Sequence, residues 1–418
     1  MVASNPECYG HEVGIAASPM DLPLILSWAA WGLVVVLAAL LRSRAYAVFR
    51  AVTLGVHTLL ALSIAPAFEP VAPLFWTLHT LVYVHALALV RPRMRPLAYR
   101  LLVSIPAAFF SAGTLLSLPW LLLAPLGVDL RFTSIAYVLA GVGLLQSSRT
   151  RPEVIDVAVA DGEHAPALQR WTATGASGSR PLRIVQITDP HLGPFMSVER
   201  LRGICRRAVE QDPDLIVLTG DFLTMESQED PSLLTAALSP LADLSGRVFA
   251  CLGNHDHEAP RTVRDALASN GVRLLVDEVE EIETPAGRVQ ILGMDFVWSK
   301  RAEHLQRVCA AHPRQPDALR LVLLHDPTAF KHLPPGEADL VLSGHTHGGQ
   351  VGLVSLGLPW TIMRLFVKAP DHGLWARGTD RLYVHRGTGH YGFPLRLGVP
   401  AEESLLRVHV GTPDRSAA

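Results

Sequence analysis

Two hydrophobic patterns divide the chain. Up to about residue 150 the apolar residues form long runs almost without charge; beyond it they form short runs, each closed by a polar residue. The long runs lie at 22–41, 51–68, 72–90, 101–125 and 130–146. A bilayer core is crossed by about 20 apolar residues in helical form, so residues 1–150 read as a multi-pass helical membrane region of about five helices. The fifth run is the weakest, being short and opening on Asp129 and Arg131. His57, His79 and His85 fall inside runs that carry no carboxylate, and are expected to be neutral, hydrogen-bonded residues of the bundle.

The arginines orient the runs. Arg42, Arg44 and Arg50 separate the first from the second, Arg91, Arg93, Arg95 and Arg100 separate the third from the fourth, and Arg149 and Arg151 follow the fifth. The alternate loops offer Glu69, then Asp129 with Arg131, and the N-terminal stretch offers only acids. Positive loops stay inside. Five crossings with the N-terminus outside therefore satisfy every loop, and the second half faces the cytoplasm from the inner (cytoplasmic) membrane. Were the fifth run not to cross, that half would face outward and Arg149 and Arg151 would break the pattern.

Residues 151–180 are expected to be a linker, rich after 161 in Gly, Ala, Ser and Thr. From 181 to 411 the short runs LRIVQITD, LIVLTGD, VFACLGNHD, VQILGMD, LRLVLLHD and ADLVLSGHTH read as buried strands, with helical patterns between them at 198–210 and 231–241. RLYVHRG and SLLRVHV add two strands beyond 380, and 412–418 is a tail. Strands alternating with helices predict an α/β domain.

Charge narrows the function. Nine arginines and five acidic residues in 1–150 leave 27 basic and 33 acidic residues in the remainder. A domain of that balance lacks the basic footprint of a nucleic-acid binder. Cys8, Cys205, Cys251 and Cys309 form no CxxC pair, so neither a zinc finger nor a disulfide framework is expected.

The chemistry lies where the short runs stop. Asp189, His191, Asp221, Asn254, His255, His325, His345 and His347 each follow an apolar run. In open α/β sheets, ligands gather beyond the carboxyl ends of the strands. Asp189 and His191 are two apart, as are His345 and His347, so in extended backbone each pair projects to one side. Mixed imidazole, carboxylate and amide donors suit Mn2+, Fe2+, Zn2+ or Ni2+ better than calcium. DxH or GD alone is a weak signal; the ordered series DxH, GD, GNHD, HD, GHTH is not.

That series, with GHTHGGQ at 344–350, resembles the calcineurin-like metallophosphoesterase superfamily and its membrane-associated bacterial subgroup. The resemblance implies a four-layer αββα sandwich carrying two divalent metal ions at its sheet edge. It further implies that Asp189, His191 and His347 hold one ion, that Asn254, His325 and His345 hold the other, and that Asp221 bridges them. Two such ions keep a positive surplus over two aspartates. They polarise a phosphoester and lower the pKa of a bridging water, giving hydroxide at neutral pH. His255 is then the candidate general acid, or an electrostatic clamp on the transition state, against the plainer role of a hydrogen-bonding neighbour. Asp256 and His257 are read as structural, and His390, in GTGHYGFP, as a minor candidate for contact with substrate.

Two departures matter. Many family members carry an acid three residues after the GD aspartate, which orients the GNH histidine; here that residue is Thr224. The GDRG arginine of protein phosphatases is also absent, Phe222 and Leu223 standing there instead, which disfavours phosphoprotein substrates. The expected activity is hydrolysis of a phosphodiester or pyrophosphate bond at the membrane surface, with membrane lipids as partners and a lipid or lipid precursor as one substrate class. A general phosphodiesterase or nucleotide phosphatase, and a non-catalytic scaffold or sensor, are the alternatives. An apolar stretch at 351–375 either forms a lip in the membrane interface, docks on the bundle, or is an ordinary buried loop.

Overall fold

The computed structural model describes residues 21–159, 164–172, 180–390, 392 and 394–410. The acidic N-terminal stretch with Cys8, half of the Gly/Ser-rich segment at 161–180 and the expected tail lie outside them.

Helix α1 (Asp21–Leu41) is followed by α2 (Arg44–Ile64), a 3-10 segment (Ala65–Val71) and α3 (Ala72–Ala88). A broken helical stretch then comprises α4 (Leu97–Tyr99), α5 (Ile105–Leu116) and α6 (Leu118–Leu123), and α7 (Ser134–Ser147) completes the bundle. Among the described residues, four stretches are long and apolar enough to cross a membrane: 22–41, 44–88, 97–126 and 130–147. The second, of 45 residues, is two arms. His57 stacks on His79 at 5.4 Å between ring centroids, and Thr58 Oγ1 lies 2.7 Å from Tyr83 OH. Twenty-two residues of unbroken helix would separate the first pair by roughly 33 Å. The chain therefore folds back at Pro66 and Pro70, where a missing N–H breaks the helical ladder. His79 Nε2 meets Ser27 Oγ at 3.0 Å, linking α3 to α1.

The second half contains two sheets. One has the order β1 (Thr150–Val159), β13 (Ala401–Val410), β3 (Leu182–Ile187), β4 (Leu215–Leu218), β5 (Val248–Ala250), β6 (Arg273–Leu274). The other runs β2 (Ala165–Arg170), β11 (Gly373–Gly378), β12 (Asp380–Val384), β10 (Leu340–Ser343), β9 (Leu319–Leu323), β8 (Gly287–Gly293), β7 (Glu278–Thr284). Ile184, Val217 and Phe249 of the first sheet share one core with Leu321, Leu342 and Tyr383 of the second, so the sheets pack face to face. Helices α8 (Val198–Glu210), α9 (Pro231–Leu238) and α10 (Pro260–Ser269) cover the outer face of the first sheet, and α11 (Arg301–Ala311) covers that of the second. This is the helix–sheet–sheet–helix sandwich that the family resemblance implies.

Local rules set the pieces. Ser197 caps α8 by accepting from Arg200 N, worth about 1 kcal/mol. Leu201, Ile204, Cys205 and Ala208 then repeat at helical spacing and form its buried stripe. Every residue of β4 and β5 is buried, as strands covered on both faces require.

The expected linker is where the structure departs. Residues 150–159 pair in parallel with β13 along its whole length, and 165–170 pair with β11. Pro152 and the charged Glu153 and Asp156 obscured the strand character of β1, an edge strand on which Pro and charge are tolerated. The chain thus leaves α7 and enters the sandwich within a few residues.

Candidate metal centre

Seven candidate donors follow the carboxyl ends of strands of both sheets. Asp189 and His191 follow β3, Asp221 follows β4, Asn254 follows β5, His325 follows β9, and His345 and His347 follow β10. Among the described residues, two groups have donor atoms within 4.8 Å of one another: Asp189, His191 and His347, and Asp221, His325 and His345. Each group draws on both sheets. His191 Nε2 lies 3.1 Å from His347 Nε2 and 3.7 Å from Asp221 Oδ2; His325 Nε2 lies 3.3 Å from Asp221 Oδ2 and 3.2 Å from His345 Nδ1. The Asp221 carboxylate thus faces both groups.

The seam beneath is tied. Gln186, fully buried on β3, donates to the carbonyl of Ser343 at 3.0 Å, and His325 Nδ1 donates to the carbonyl of Thr219 at 2.6 Å. The second bond fixes the tautomer that leaves Nε2 free to ligate.

The backbone is not extended here, contrary to the expectation from the two-residue spacing. Nine non-glycine residues among those described have positive φ, and Asp189, His191, Asp221, His345 and His347 are five of them. Both members of each DxH-type pair sit in left-handed turns, which reverse the chain and aim both donors into the seam. Such backbone strain persists only where surrounding contacts over-determine it, and it gathers at functional sites. Gly253 and Gly344 allow the close approach: a Cβ on either would stand 2.2 Å from a carboxylate oxygen, of Asp221 and Asp189 respectively.

The donor set fits divalent metal. Asn254 Oδ1 is buried and accepts no hydrogen bond, a costly state for an amide oxygen unless a cation satisfies it. Burial alone would raise the carboxyls of Asp189 and Asp221. The imidazoles facing them override it and hold both below the usual carboxylate range, so both are anionic donors.

His255 projects beside this group with its own N–H bonded to Asp221 Oδ1 at 2.9 Å. Its Nδ1 meets Glu258 Oε1 at 2.8 Å, and Gln228 Nε2 donates to the other oxygen of Glu258 at 2.8 Å. Burial works to lower the His255 pKa, but Glu258 and Asp221 outweigh it and raise it. Glu258 supplies the carboxylate that is missing at Thr224, whose hydroxyl instead donates to the carbonyl of Leu192. The signal was an acid three residues beyond the histidine on one 3-10 turn.

Asp256 is structural in the sense expected. Its buried carboxyl accepts from the N–H groups of Asp221, Phe222 and Gly253, each at 2.8 Å, and burial with the Asp221 charge pushes it up to about 7. His257 pairs with Asp295 at 3.1 Å, away from the donor groups. His390 is buried against Phe195, with both ring nitrogens lacking a hydrogen bond. Sequence reasoning missed Arg396, fully buried, which donates to the carbonyls of His347, Arg386, Gly389 and Val399 and so holds the loop after the last ligand.

The metal edge is also the edge that meets the bundle. Arg42, at the end of α1, donates to Met225 Sδ at 2.9 Å, four residues beyond Asp221. Arg100 donates to the carbonyl of Pro194 at 3.3 Å, three beyond His191. Arg396 N donates to the carbonyl of Gly143 on α7 at 3.2 Å, and Gln146 bonds both Ser355 and Gly398.

A two-sheet sandwich with His, Asp and Asn donors converging across its seam defines a metal-dependent phosphoester hydrolase. The family description for calcineurin-like phosphoesterases matches residues 182–349. Phosphodiesterase YaeI of Escherichia coli (strain K12) is 32% identical over 234 residues, which are 54% of this chain and 82% of that protein. The metallophosphoesterase YkoQ of Bacillus subtilis (strain 168) is 30% identical over 56% of this chain and 86% of its own length. A transmembrane protein with metallophosphoesterase domain from Bos taurus is 29% identical over 64% of this chain and 60% of that protein. The chain belongs to the calcineurin-like phosphoesterase family, and it is a membrane protein.

Proposed function

We propose that the chain hydrolyses a phosphodiester or pyrophosphate bond of an amphipathic, lipid-borne substrate at the membrane surface. One observation carries this reading. The loops that leave β3 and β4, at Pro194 and Met225, are bonded to Arg100 and Arg42 of the helical bundle, and Arg396, ahead of β13, is bonded to Gly143 of α7. A headgroup at bilayer depth is therefore near the donor groups, and the arginines favour its negative charge.

In this reading Asp189, His191 and His347 hold one divalent ion, Asn254, His325 and His345 hold a second, and Asp221 serves both. When bound, such ions supply Lewis acidity toward phosphate oxygens and toward water. Asn254 contributes as a neutral donor that leaves the positive charge unquenched. His255, oriented by Glu258, donates its proton to the departing oxygen. The arginines at 42–50, 91–100 and 149–151 support a sandwich on the cytoplasmic side of the inner membrane, with the N-terminus outside.

The test is turnover of Mn2+-loaded protein in nanodiscs against lipid-borne phosphodiesters and diphosphates, with bis-p-nitrophenyl phosphate as the soluble comparison. The expected result is a kcat/KM at least tenfold higher for a lipid-borne substrate. Equal turnover of soluble nucleotides would favour a general phosphodiesterase, and no turnover of any would favour a scaffold. For orientation, alkaline phosphatase fused to the C-terminus of the whole chain is expected to be inactive; an active fusion would reverse the topology.

A further inference from the structure

The loop between the last ligands and β11 does not bury its apolar residues. Leu356 is 75% exposed, Leu365 65% and Phe366 79%, with Leu358 and Trp360 exposed beside them. A contiguous apolar patch of this kind marks an interaction surface, because soluble surfaces rarely maintain one. Its base, by contrast, is fixed. Leu353 N donates to the carbonyl of Trp360 and Ile362 N to that of Val351; Thr361 Oγ1 donates to Asp371 Oδ2, and Thr346, between the ligands His345 and His347, donates to the carbonyl of Asp371. The apolar tip is thus held rigidly from the segment that carries the donors.

Continuity identifies what covers it. Gln146 Nε2, in the last turn of α7, donates to Ser355 Oγ at 3.0 Å at the start of the exposed tip. On α7 the exposed Val138, Val142 and Leu145 share one helical stripe that leads to this junction. The apolar surface of a bundle helix therefore runs on into the loop. Arg364 and Lys368, both exposed on the same loop, add positive charge where headgroups lie. Apolar tip with basic flank is the composition of an element lying in the interface of an anionic leaflet.

We propose that residues 353–367 form a lip that inserts into the cytoplasmic leaflet beside the metal edge, so that the sandwich is seated in the interface on two sides, by the bundle and by the lip. This inference rests on the membrane-surface reading above and names the surface that the lip contacts: acyl chains and anionic headgroups of the leaflet itself.

The test uses the full chain in proteoliposomes containing phosphatidylglycerol. Cys205, Cys251 and Cys309 are buried, so a Phe366→Cys substitution in a Cys8→Ser background accepts one environment-sensitive fluorophore. The expected result is blue-shifted emission quenched by lipids spin-labelled near the acyl carbonyl. Unquenched, water-like emission would overturn the proposal, as would cross-linking of the same cysteine between two copies without lipid quenching. In parallel, Leu356→Asp with Phe366→Asp is expected to lower turnover of a lipid-borne phosphodiester at least tenfold, leaving bis-p-nitrophenyl phosphate within twofold. An equal fall on both substrates would overturn the lip. A quenched probe with no lipid-borne substrate cleaved by the unaltered chain would keep the lip and remove the substrate reading instead.

Discussion

Glu258 Oε1 lies 2.8 Å from His255 Nδ1, three residues away on the same turn, and Gln228 holds the other carboxylate oxygen. The chain therefore orients its candidate acid from within the GNHDHE segment rather than from the strand end after Asp221. A hydrogen bond to a charged group contributes about 1.5–3 kcal/mol. Glu258→Gln is accordingly expected to lower kcat about 10- to 100-fold with little change in KM, and Glu258→Asp to recover part of it. Steady-state kinetics on bis-p-nitrophenyl phosphate decide this; a rise in KM alone would assign Glu258 to substrate binding.

Asp221 faces both donor groups, so its loss disturbs both. Removing a partner one shell outside a metal ligand costs about 10–100-fold, and removal of the shared carboxylate should cost more. Asp221→Asn is expected to lose at least about a hundredfold in turnover, with reduced metal content by elemental analysis. Chelation should abolish activity and Mn2+ should restore it in the unaltered chain only. Full activity of Asp221→Asn would remove the shared role.

The seam between bundle and sandwich is packed to contact at Gly143, where an added Cβ would stand 2.2 Å from Leu395 Cδ1. Overpacking of this kind costs about 1–3 kcal/mol. Gly143→Val should lower the thermal midpoint in detergent by several degrees, and adding Leu395→Ala should restore most of it. Independent, additive losses would show that the two residues do not meet in the folded protein.

A buried charge network behind the site predicts acid sensitivity. Burial alone would raise the Glu402 carboxyl, but Arg386 at 2.6 Å, His385 and the Tyr383 hydroxyl hold it down at about 2. A carboxyl whose folded pKa is depressed stabilises above its unfolded value near 4.5 and loses that contribution as pH falls toward 2. The linkage is about 3 kcal/mol. Glu402→Gln should therefore destabilise at pH 7, and the gap in melting temperature between it and the unaltered chain should narrow below pH 4.5. A gap independent of pH would remove Glu402 from the network.

What the sequence by itself determined is local. Apolar runs long enough to cross a bilayer, arginines between them, and donors placed two to four residues beyond buried strands all follow from the order of side chains. Backbone hydrogen bonding and burial act within such short stretches, so they are readable there. The strands at 150–159 and 165–170 were not readable, because an edge strand tolerates the proline and charges that mask its pattern. Three matters only the tertiary structure decided. It chose which donors share a group, since each group joins residues more than 100 positions apart across the seam of two sheets. It bent Asp189, His191, Asp221, His345 and His347 into left-handed turns, a state their side chains do not favour and surrounding contacts impose. And it left the tip of 353–367 exposed, because no feature of an apolar run says which surface it will meet.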